Sequence, residues 1–147
     1  MDEQLSPEVV EYLESHREVT LFCRDAQAHP IGYPMMIFAQ SPTTVFFSTY
    51  RKSKKVQHIE RDPRVAVLSH ERQPGERLRW VALNGVAHLW APTLAEVDGL
   101  FADRGGDARV PDTMLDLVRQ RTIEGKRVLL RIELDDPRSV VVQGERP

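Results

Sequence analysis

The stretch FFSTYRKSKKVQHIERDPRVAVL, residues 46–68, decides the fold of this 147-residue chain. Its start is typical of a β-strand, and that strand ends in two hydroxyl side chains, Ser48 and Thr49. A basic turn follows, and a helix is predicted from Ser53 to Arg61. The helix ends before Pro63, because the residue preceding a proline is pushed out of the helical region. A second strand is predicted after the proline.

Basic residues are concentrated in the turn of this stretch. Of the 20 basic residues only four are lysines, and three of these are Lys52, Lys54 and Lys55. With Arg51 they give the turn a charge of +4, on a chain whose formal net charge is −2. Free N–H groups at a helix start favour a phosphate, and lysines and hydroxyl groups add to the attraction. The pattern predicts a phosphate site, with a solvated helix end as the alternative; the GxxxxGK[ST] loop of nucleoside triphosphatases is absent.

Outside this stretch the chain predicts one mainly β domain. We expect, in order, a helix, three strands, a helix, two strands, one or two helices and two strands. Short turns between strands favour an antiparallel sheet, and seven strands with few helices indicate a small barrel. Pro30 and Pro34 predict that the second strand lies at an edge, carries a bulge or begins only after Pro34. Gly85, inside the long strand 80–90, predicts a bulge or a close approach of two backbones.

Composition excludes several classes of protein. A hydrophobic fraction of 41% and a charged fraction of 29% fit a folded domain rather than a disordered chain. No apolar run reaches the roughly 18–20 residues that span a bilayer, and the first residues lack the order of a signal peptide. We therefore expect a cytoplasmic protein that binds no membrane. The single cysteine, Cys23, excludes an internal disulfide and a multi-cysteine metal site.

Residues 47–67 resemble the central signature of the pyridoxamine 5′-phosphate oxidase-like superfamily, the FMN-binding split β-barrels. This superfamily also includes reductases that use flavin or the deazaflavin coenzyme F420. Three further segments agree with it in the right order: Pro34-Met35, residues 80–87 and residues 126–142. The resemblance implies a mainly β fold over residues 1–147, a six- to seven-stranded antiparallel split β-barrel with a few short flanking helices.

The resemblance also implies which residues contact the cofactor. Ser48 and Thr49 would face the phosphate or the ribityl chain, and Lys55 would be the principal phosphate lysine. Ser53 and Lys54 would complete the phosphate site, and the residues along the isoalloxazine ring would be Met35, Met36 and Ile37. Trp80 falls where flavin-dependent oxidases commonly carry glutamine against the ring and some deazaflavin relatives carry tryptophan. No catalytic residue is identified.

The function implied by the resemblance is an oxidoreductase that transfers hydride between FMN, or alternatively F420, and a small organic substrate. The family usually pairs two protomers, which implies a homodimer with each cofactor at the interface. A non-catalytic protein that binds a flavin nucleotide or haem is the alternative. Residues 33–38 lack the usual arginine and lysine, and the chain ends at Pro147 without the segment that binds pyridoxal phosphate. Vitamin B6 oxidation is therefore not expected.

The remaining hypotheses have less support in the sequence. None of the five histidines forms a metal-ligand spacing, so no metal site is expected, and His70 is the candidate for a haem ligand. Cys23 is interpreted as a small buried hydrophobe. Trp80 and Trp90 share one face of a strand, so either could instead pack in the core or a dimer interface. A nucleic-acid contact through residues 51–55 is the weakest hypothesis, because four charges on an acidic body bind weakly.

Overall fold

The computed structural model describes residues 4–72, 78–102, 112–136 and 141–143. The helices in these ranges are α1 (Pro7–Ser15), α2 (Lys54–Arg61), α3 (Leu94–Ala102) and α4 (Asp112–Ile123). The strands are β1 (Glu18–Arg24), β2 (Pro30–Met36), β3 (Ala39–Gln40), β4 (Thr44–Tyr50), β5 (Arg64–Arg72), β6 (Leu78–Trp90), β7 (Arg127–Leu134) and β8 (Val141–Gln143). This order confirms the predicted one, except that the predicted second strand is divided into β2 and β3.

The strands form one antiparallel sheet in the order β2-β1-β5-β6-β7-β4-β3, with β8 paired to β6. Only Ile37 and Phe38 separate β2 from β3, although these strands lie at opposite edges of the sheet. The Ile37 N–H donates to the Arg17 carbonyl (2.8 Å), and the Phe38 N–H donates to the Phe46 carbonyl (2.8 Å). Two residues can join the two edges only if the sheet curls into a half-barrel, which confirms the predicted fold class.

The core lies inside the curl and is filled by alternate residues of the strands. Its buried side chains include Leu21 of β1, Phe47 of β4, Val67 of β5 and Ile132 of β7. Helix α2 turns Val56 and Ile59 toward the interior, as predicted. The face of α2 that carries these residues fixes the helix against the barrel, so the basic turn before it is held in place at both ends.

Two predicted strand features are confirmed. β2 carries both Pro30 and Pro34 and lies at a sheet edge, where a missing N–H breaks no essential ladder bond. At Gly85 in β6, a Cβ atom would lie 2.5 Å from the backbone oxygen of Glu133 in β7. No side chain fits in that space, so Gly85 marks a close approach of two backbones.

The segment that follows α4 brings basic residues to the end of β4. The chain turns through Gly125 (φ +79°) and enters β7, which pairs with β4 over its whole length. The Arg51 N–H donates to the Lys126 carbonyl (3.0 Å), and Arg127 lies opposite Tyr50 in the ladder. Two regions distant in sequence, the basic turn and the start of β7, are therefore neighbours in space.

Candidate functional site

The basic turn joins the end of β4 to the start of α2, as predicted. Ser53 is the N-cap of α2, and its Oγ accepts a hydrogen bond from the Val56 N–H (3.4 Å). Because the first N–H groups of a helix have no acceptor within it, the amides of Lys54 and Lys55 remain available. The Lys54 side chain is exposed, whereas Lys55 is half-buried. The turn therefore carries backbone donors beside one partly buried ammonium group.

Lys55 reaches from α2 toward strand β2. Its Nζ lies 5.5 Å from the ring centroid of Tyr33, within cation–π range. Burial lowers the pKa of Lys55, and the charge of Arg127 lowers it further. The Cys23 thiol opposes these two effects. The surroundings of Lys55 thus disfavour its charged form, which a bound anion would stabilise.

Arg127, the first residue of β7, completes the site and was not among the predicted residues. Its Nε donates to the Ser48 Oγ (3.0 Å) and its Nη2 to the Ser48 carbonyl (3.3 Å). The guanidinium lies 4.4 Å from the ring centroid of Tyr50. Burial lowers the pKa of Arg127, and Tyr50 opposes this effect. The sequence places Arg127 on the polar face of an alternating strand. Arginines are common at such positions, so the pattern alone does not indicate a functional role.

Arg127 contacts Ser48, and its charge acts on Lys55; these three residues are named the cationic pocket. In the described ranges neither cation forms an ion pair with a carboxylate. The charged or titratable groups that act on their pKa values are other arginines, Tyr50 and Cys23. Two partly desolvated cations repel each other more strongly than they would in water. An anion held between them would offset both the repulsion and the desolvation, so the pocket has the chemistry of an anion site.

The hydroxyl groups predicted for the site point in different directions. Ser48 faces Arg127, whereas Thr49 faces the interior and is 3% exposed. Ser53 uses its hydroxyl to cap α2. Ser48 is therefore the one of the three whose hydroxyl lies in the cationic pocket, and the contacts expected of Thr49 and Ser53 remain predictions.

The three residues predicted to lie along the ring have different surroundings. Met35 lies on the same side of β2 as Tyr33 and packs against the core. Met36 points to the outside of the sheet and is 41% exposed. Ile37, in the crossing between the sheet edges, is fully buried. Met35 is thus the one on the Lys55 side of β2, and a cofactor contact by any of the three remains a prediction.

Trp80 is not brought to the cationic pocket within one chain. It pairs with His70 of β5 and Gln143 of β8, at the opposite end of β6 from Trp90. Trp90 in turn lies beside Leu129, the neighbour of Ser48. At about 3.3 Å per residue, Trp80 lies about 33 Å of strand away from that end. Its Nε1 is buried and finds no hydrogen-bond partner among the described residues.

The other predicted or excluded sites are also placed. Cys23 is buried, and its burial raises the pKa of the thiol, which confirms its interpretation as a small buried hydrophobe. His70 is exposed on the outside of β5. In the described part of the chain, no three His, Cys, Asp or Glu side chains gather as metal ligands. No helix in the same ranges is long and apolar enough to cross a membrane.

Comparison with protein families agrees with this geometry. A family model described as pyridoxamine 5′-phosphate oxidase matches residues 5–140. The chain belongs to this family. The match confirms the resemblance first seen in residues 47–67, and it extends over nearly the whole chain. Comparison with the curated proteins gave no match.

Solved structures share the fold at low sequence identity. The haem storage protein HutZ of Vibrio cholerae is 16% identical, with a TM-score of 0.71 over 97% of this chain and 96% of that one. An FAD-binding protein of Mesorhizobium loti is 20% identical, with a TM-score of 0.62 over 90% and 92%. An F420 reductase is 18% identical, with a TM-score of 0.59 over 92% and 96%. The same fold therefore occurs in proteins whose names refer to different cofactors: haem, FAD and F420.

Proposed function

We propose that this protein binds a flavin-type cofactor by its phosphate at the cationic pocket and acts as an oxidoreductase. FMN is the proposed cofactor and F420 the alternative. The cofactor would supply hydride transfer at its central ring, with a small organic molecule as the other partner. The chain would hold the phosphate and orient the ring.

One observation carries the proposal: Arg127, held by Ser48, acts through its charge on Lys55, and both cations are partly buried with no carboxylate partner in the described ranges. Most arginines and lysines in a folded protein are solvated or paired with carboxylates. Here the Nε and Nη2 of Arg127 are fixed by Ser48, so the guanidinium is oriented before any ligand binds. Oriented donors bind a phosphate more tightly, because less conformational entropy is lost on binding.

The alternative functions are less well supported by the site. Haem would need an axial ligand, and the candidate His70 lies on the outside of β5 beside Met36, so a haem bound there would not use the cationic pocket. A non-catalytic flavin carrier would use the same phosphate contacts and remains the alternative to an enzyme. Anaerobic mixing of the cofactor-loaded protein with NADH or NADPH separates these two functions. Loss of flavin absorbance supports an oxidoreductase, and unchanged absorbance with both donors supports a carrier.

We also propose that the chain forms a homodimer through the outer face of β1, β2 and β5. This face carries Phe22, Met36, Ala66 and Leu68, and the ladder sets Phe22 beside Ala66. An outer sheet face that carries several apolar side chains is typical of a protein interface. A second copy would cover Met36 and supply further contacts to the ring, which one chain provides only in part.

The phosphate contact is tested by titrating FMN against Lys55→Met and the matched control Lys54→Met. A charge-assisted hydrogen bond is worth about 1.5–3 kcal/mol, so Lys55→Met should weaken binding about 10- to 150-fold. The exposed Lys54 makes no comparable contact, and its loss should change the affinity less than about threefold. Equal affinities of the Lys55 variant and the wild type would contradict the phosphate site.

A further inference from the structure

The end of α1 carries a group of polar side chains that the proposed function does not use. His16 is the C-cap of α1, and its ring stacks on that of Tyr12, with centroids 4.2 Å apart and planes inclined by 14°. The His16 Nε2 forms an ion pair with Glu71 of β5, and the guanidinium of Arg79 in β6 lies 5.2 Å from the Tyr12 ring centroid. These four residues are named the His16 clamp. They join α1 to β5 and β6.

Both ring nitrogens of His16 face hydrogen-bond acceptors. The Nδ1 lies 2.9 Å from the carbonyl oxygen of Tyr12, and the Nε2 faces the Glu71 carboxylate. A neutral imidazole has one N–H and can donate to only one of these groups, whereas the doubly protonated ring donates to both. A neutral ring beside a protonated Glu71 is less favourable, because a carboxylic acid ordinarily loses its proton more readily than an imidazolium. The contacts therefore select the charged form of His16.

The pair of His16 and Glu71 is better shielded from water than the pair of His88 and Glu133. The side chains of the first pair are 23% and 27% exposed. Those of the second are 46% and 55% exposed, and their charged atoms lie 3.7 Å apart. Because water and salt screen exposed charges, the second pair should contribute little to stability. It provides a matched control within the same chain.

Other charged groups near the clamp come from neighbouring elements. The Arg79 Nη1 lies 4.0 Å from the second carboxylate oxygen of Glu71, so both cations share this carboxylate. Burial raises the pKa of Tyr12, so its phenol stays neutral below about pH 10. Three further charged or titratable side chains line the open depression beside His16: Arg17, Glu18 and His70. Histidine is the side chain that ordinarily changes charge near neutral pH, so a change of pH acts on the clamp through its imidazole.

The backbone next to the clamp holds the crossing between β2 and β3. The His16 carbonyl accepts a hydrogen bond from the Ser69 Oγ of β5 (3.5 Å). The Arg17 carbonyl accepts one from the Ile37 N–H (2.8 Å), and the Arg17 Nη1 donates back to the Ile37 carbonyl (3.4 Å). Residues 16–17 therefore connect α1, β5 and the crossing at one point.

We propose that His16 is a pH-dependent clamp: with both ring nitrogens protonated it ties α1 to Glu71 and holds the crossing at Ile37, and loss of one proton loosens both. When the Nε2 proton leaves to water, a nitrogen lone pair faces the carboxylate, and two acceptors gain nothing from this contact. The buried side chains of Val9 and Leu13 still attach α1, so its end loosens while the domain stays folded. The clamp does not depend on the proposed phosphate site.

Nitrogen-15 NMR of the histidine side chains in the wild-type protein reads the protonation directly. At pH 6 both ring nitrogens of His16 should carry a proton, and at pH 9 only one should. A singly protonated His16 ring at pH 6 would overturn the proposal. This measurement needs no variant, so it holds even if a substitution prevents folding.

A double-mutant cycle measures the contact between His16 and Glu71. His16→Phe keeps a ring to stack on Tyr12 and removes both nitrogens, and Glu71→Gln removes the carboxylate charge. The cycle cancels the other contacts of each residue, including that of Glu71 with Arg79. At pH 6 the coupling should change the folding equilibrium constant about five- to 30-fold, as for a charge-assisted hydrogen bond reduced by partial exposure.

At pH 9 this coupling should fall below about twofold, because the ring is then neutral. The control cycle of His88→Phe and Glu133→Gln should stay below about twofold at both pH values. Urea denaturation at the two pH values gives the equilibrium constants. Equal coupling of His16 and Glu71 at pH 6 and pH 9, or none at pH 6, would contradict the clamp.

Amide hydrogen exchange at pH 6 tests the link to the crossing. His16→Phe should lower the protection of the Ile37 N–H at least about threefold, because the segment that accepts its hydrogen bond opens more often. His88→Phe should leave this protection unchanged. Wild-type protection of Ile37 in His16→Phe would show that His16 does not hold the crossing.

Discussion

The cationic pocket and the region around Trp80 are the two ends of the proposed cofactor site, and they differ in how much one chain supplies. The residues of the pocket all come from one protomer: Arg127 of β7 contacts Ser48 of β4, and its charge acts on Lys55 at the start of α2. Trp80 and Met36 lie far from it, on the far end of β6 and on the outer face of β2. In the proposed function, one chain would therefore bind the phosphate, whereas a second copy would have to complete the ring contacts.

Strands β6 and β7 connect the two ends, and they approach each other closely at Gly85. Of the changes considered, Gly85→Ala should have the largest effect, a loss of stability. A Cβ atom at Gly85 would lie 2.5 Å from the Glu133 backbone oxygen and 2.8 Å from the Ile132 Cγ2. The backbone of a central strand cannot shift away from this contact without disturbing its hydrogen bonds to the neighbouring strands. We therefore expect the free energy of unfolding to fall by about 3 kcal/mol.

Urea denaturation measures this loss, and Gly99→Ala in α3 is the matched control. A Cβ atom at Gly99 meets nothing within 4 Å, and alanine favours a helix over glycine by up to about 1 kcal/mol. The control should therefore be as stable as the wild type or more so. Wild-type stability of Gly85→Ala would show that β6 and β7 do not approach as closely as described.

Leu68→Glu should separate the two ends of the site. A charge on the outer face would have to be desolvated in the dimer, and we expect dimer dissociation to increase at least about 30-fold, or about 2 kcal/mol. The resulting monomer should keep its affinity for inorganic phosphate and lose about tenfold in affinity for FMN. Light scattering measures the mass, and titration measures the two affinities.

Leu94→Glu is the matched control, because Leu94 is an exposed leucine (55%) on α3, away from the outer face. It should leave both mass and affinities unchanged. A wild-type chain that is monomeric at micromolar concentration, or a Leu68→Glu chain that binds FMN normally, would refute the shared site.

The smallest expected effect is the pH dependence of the cationic pocket. The pKa of Lys55 is lowered in the folded protein, chiefly by burial. Folding therefore disfavours the charged lysine, and this cost is fully present below the folded pKa. The free energy of unfolding should rise as the pH increases from the folded pKa toward 10.5, the ordinary pKa of a lysine. Anion binding has the opposite sign, because it requires the charged form.

FMN affinity should accordingly fall as pH rises through the folded pKa of Lys55, by at most about tenfold per pH unit. Calorimetric titration in a series of buffers measures it, and Lys55→Met should remove most of the dependence, because Arg127 stays protonated. The same pH profile in the wild type and the variant would show that Lys55 does not control binding.

Local rules predicted much of the fold. The helix of residues 54–61, its buried Val56 and Ile59, and the edge position of β2 follow from a stop at Pro63, from apolar spacing and from two prolines. The crossing at Ile37 and Phe38 could not be predicted in this way. It depends on which strands meet across the sheet, and neighbouring residues do not encode such long-range pairing.

The candidate site shows the same division. The contiguous residues 48–55 were recognised because a strand, a basic turn and a helix start have local signals. Arg127 was missed, since its role depends on the register that sets it opposite Tyr50 across 77 residues of chain. The separation of Trp80 from the phosphate residues was equally invisible in the sequence, because distance along a strand matters only once the strands are ordered.

The sequence by itself determined the family, through the resemblance of residues 47–67, and also the antiparallel β class and a basic turn placed at a helix start. The last two follow from the local conformational preferences of proline, glycine and β-branched residues, and from charges close together in the chain. Only the tertiary structure decided which lysine is partly buried, that the charge of Arg127 acts on it with no paired carboxylate among the described residues, and that Tyr50 contacts both Arg127 and Arg121. Burial and the pairing of charges are properties of the folded surface, and they arise when distant strands pack together.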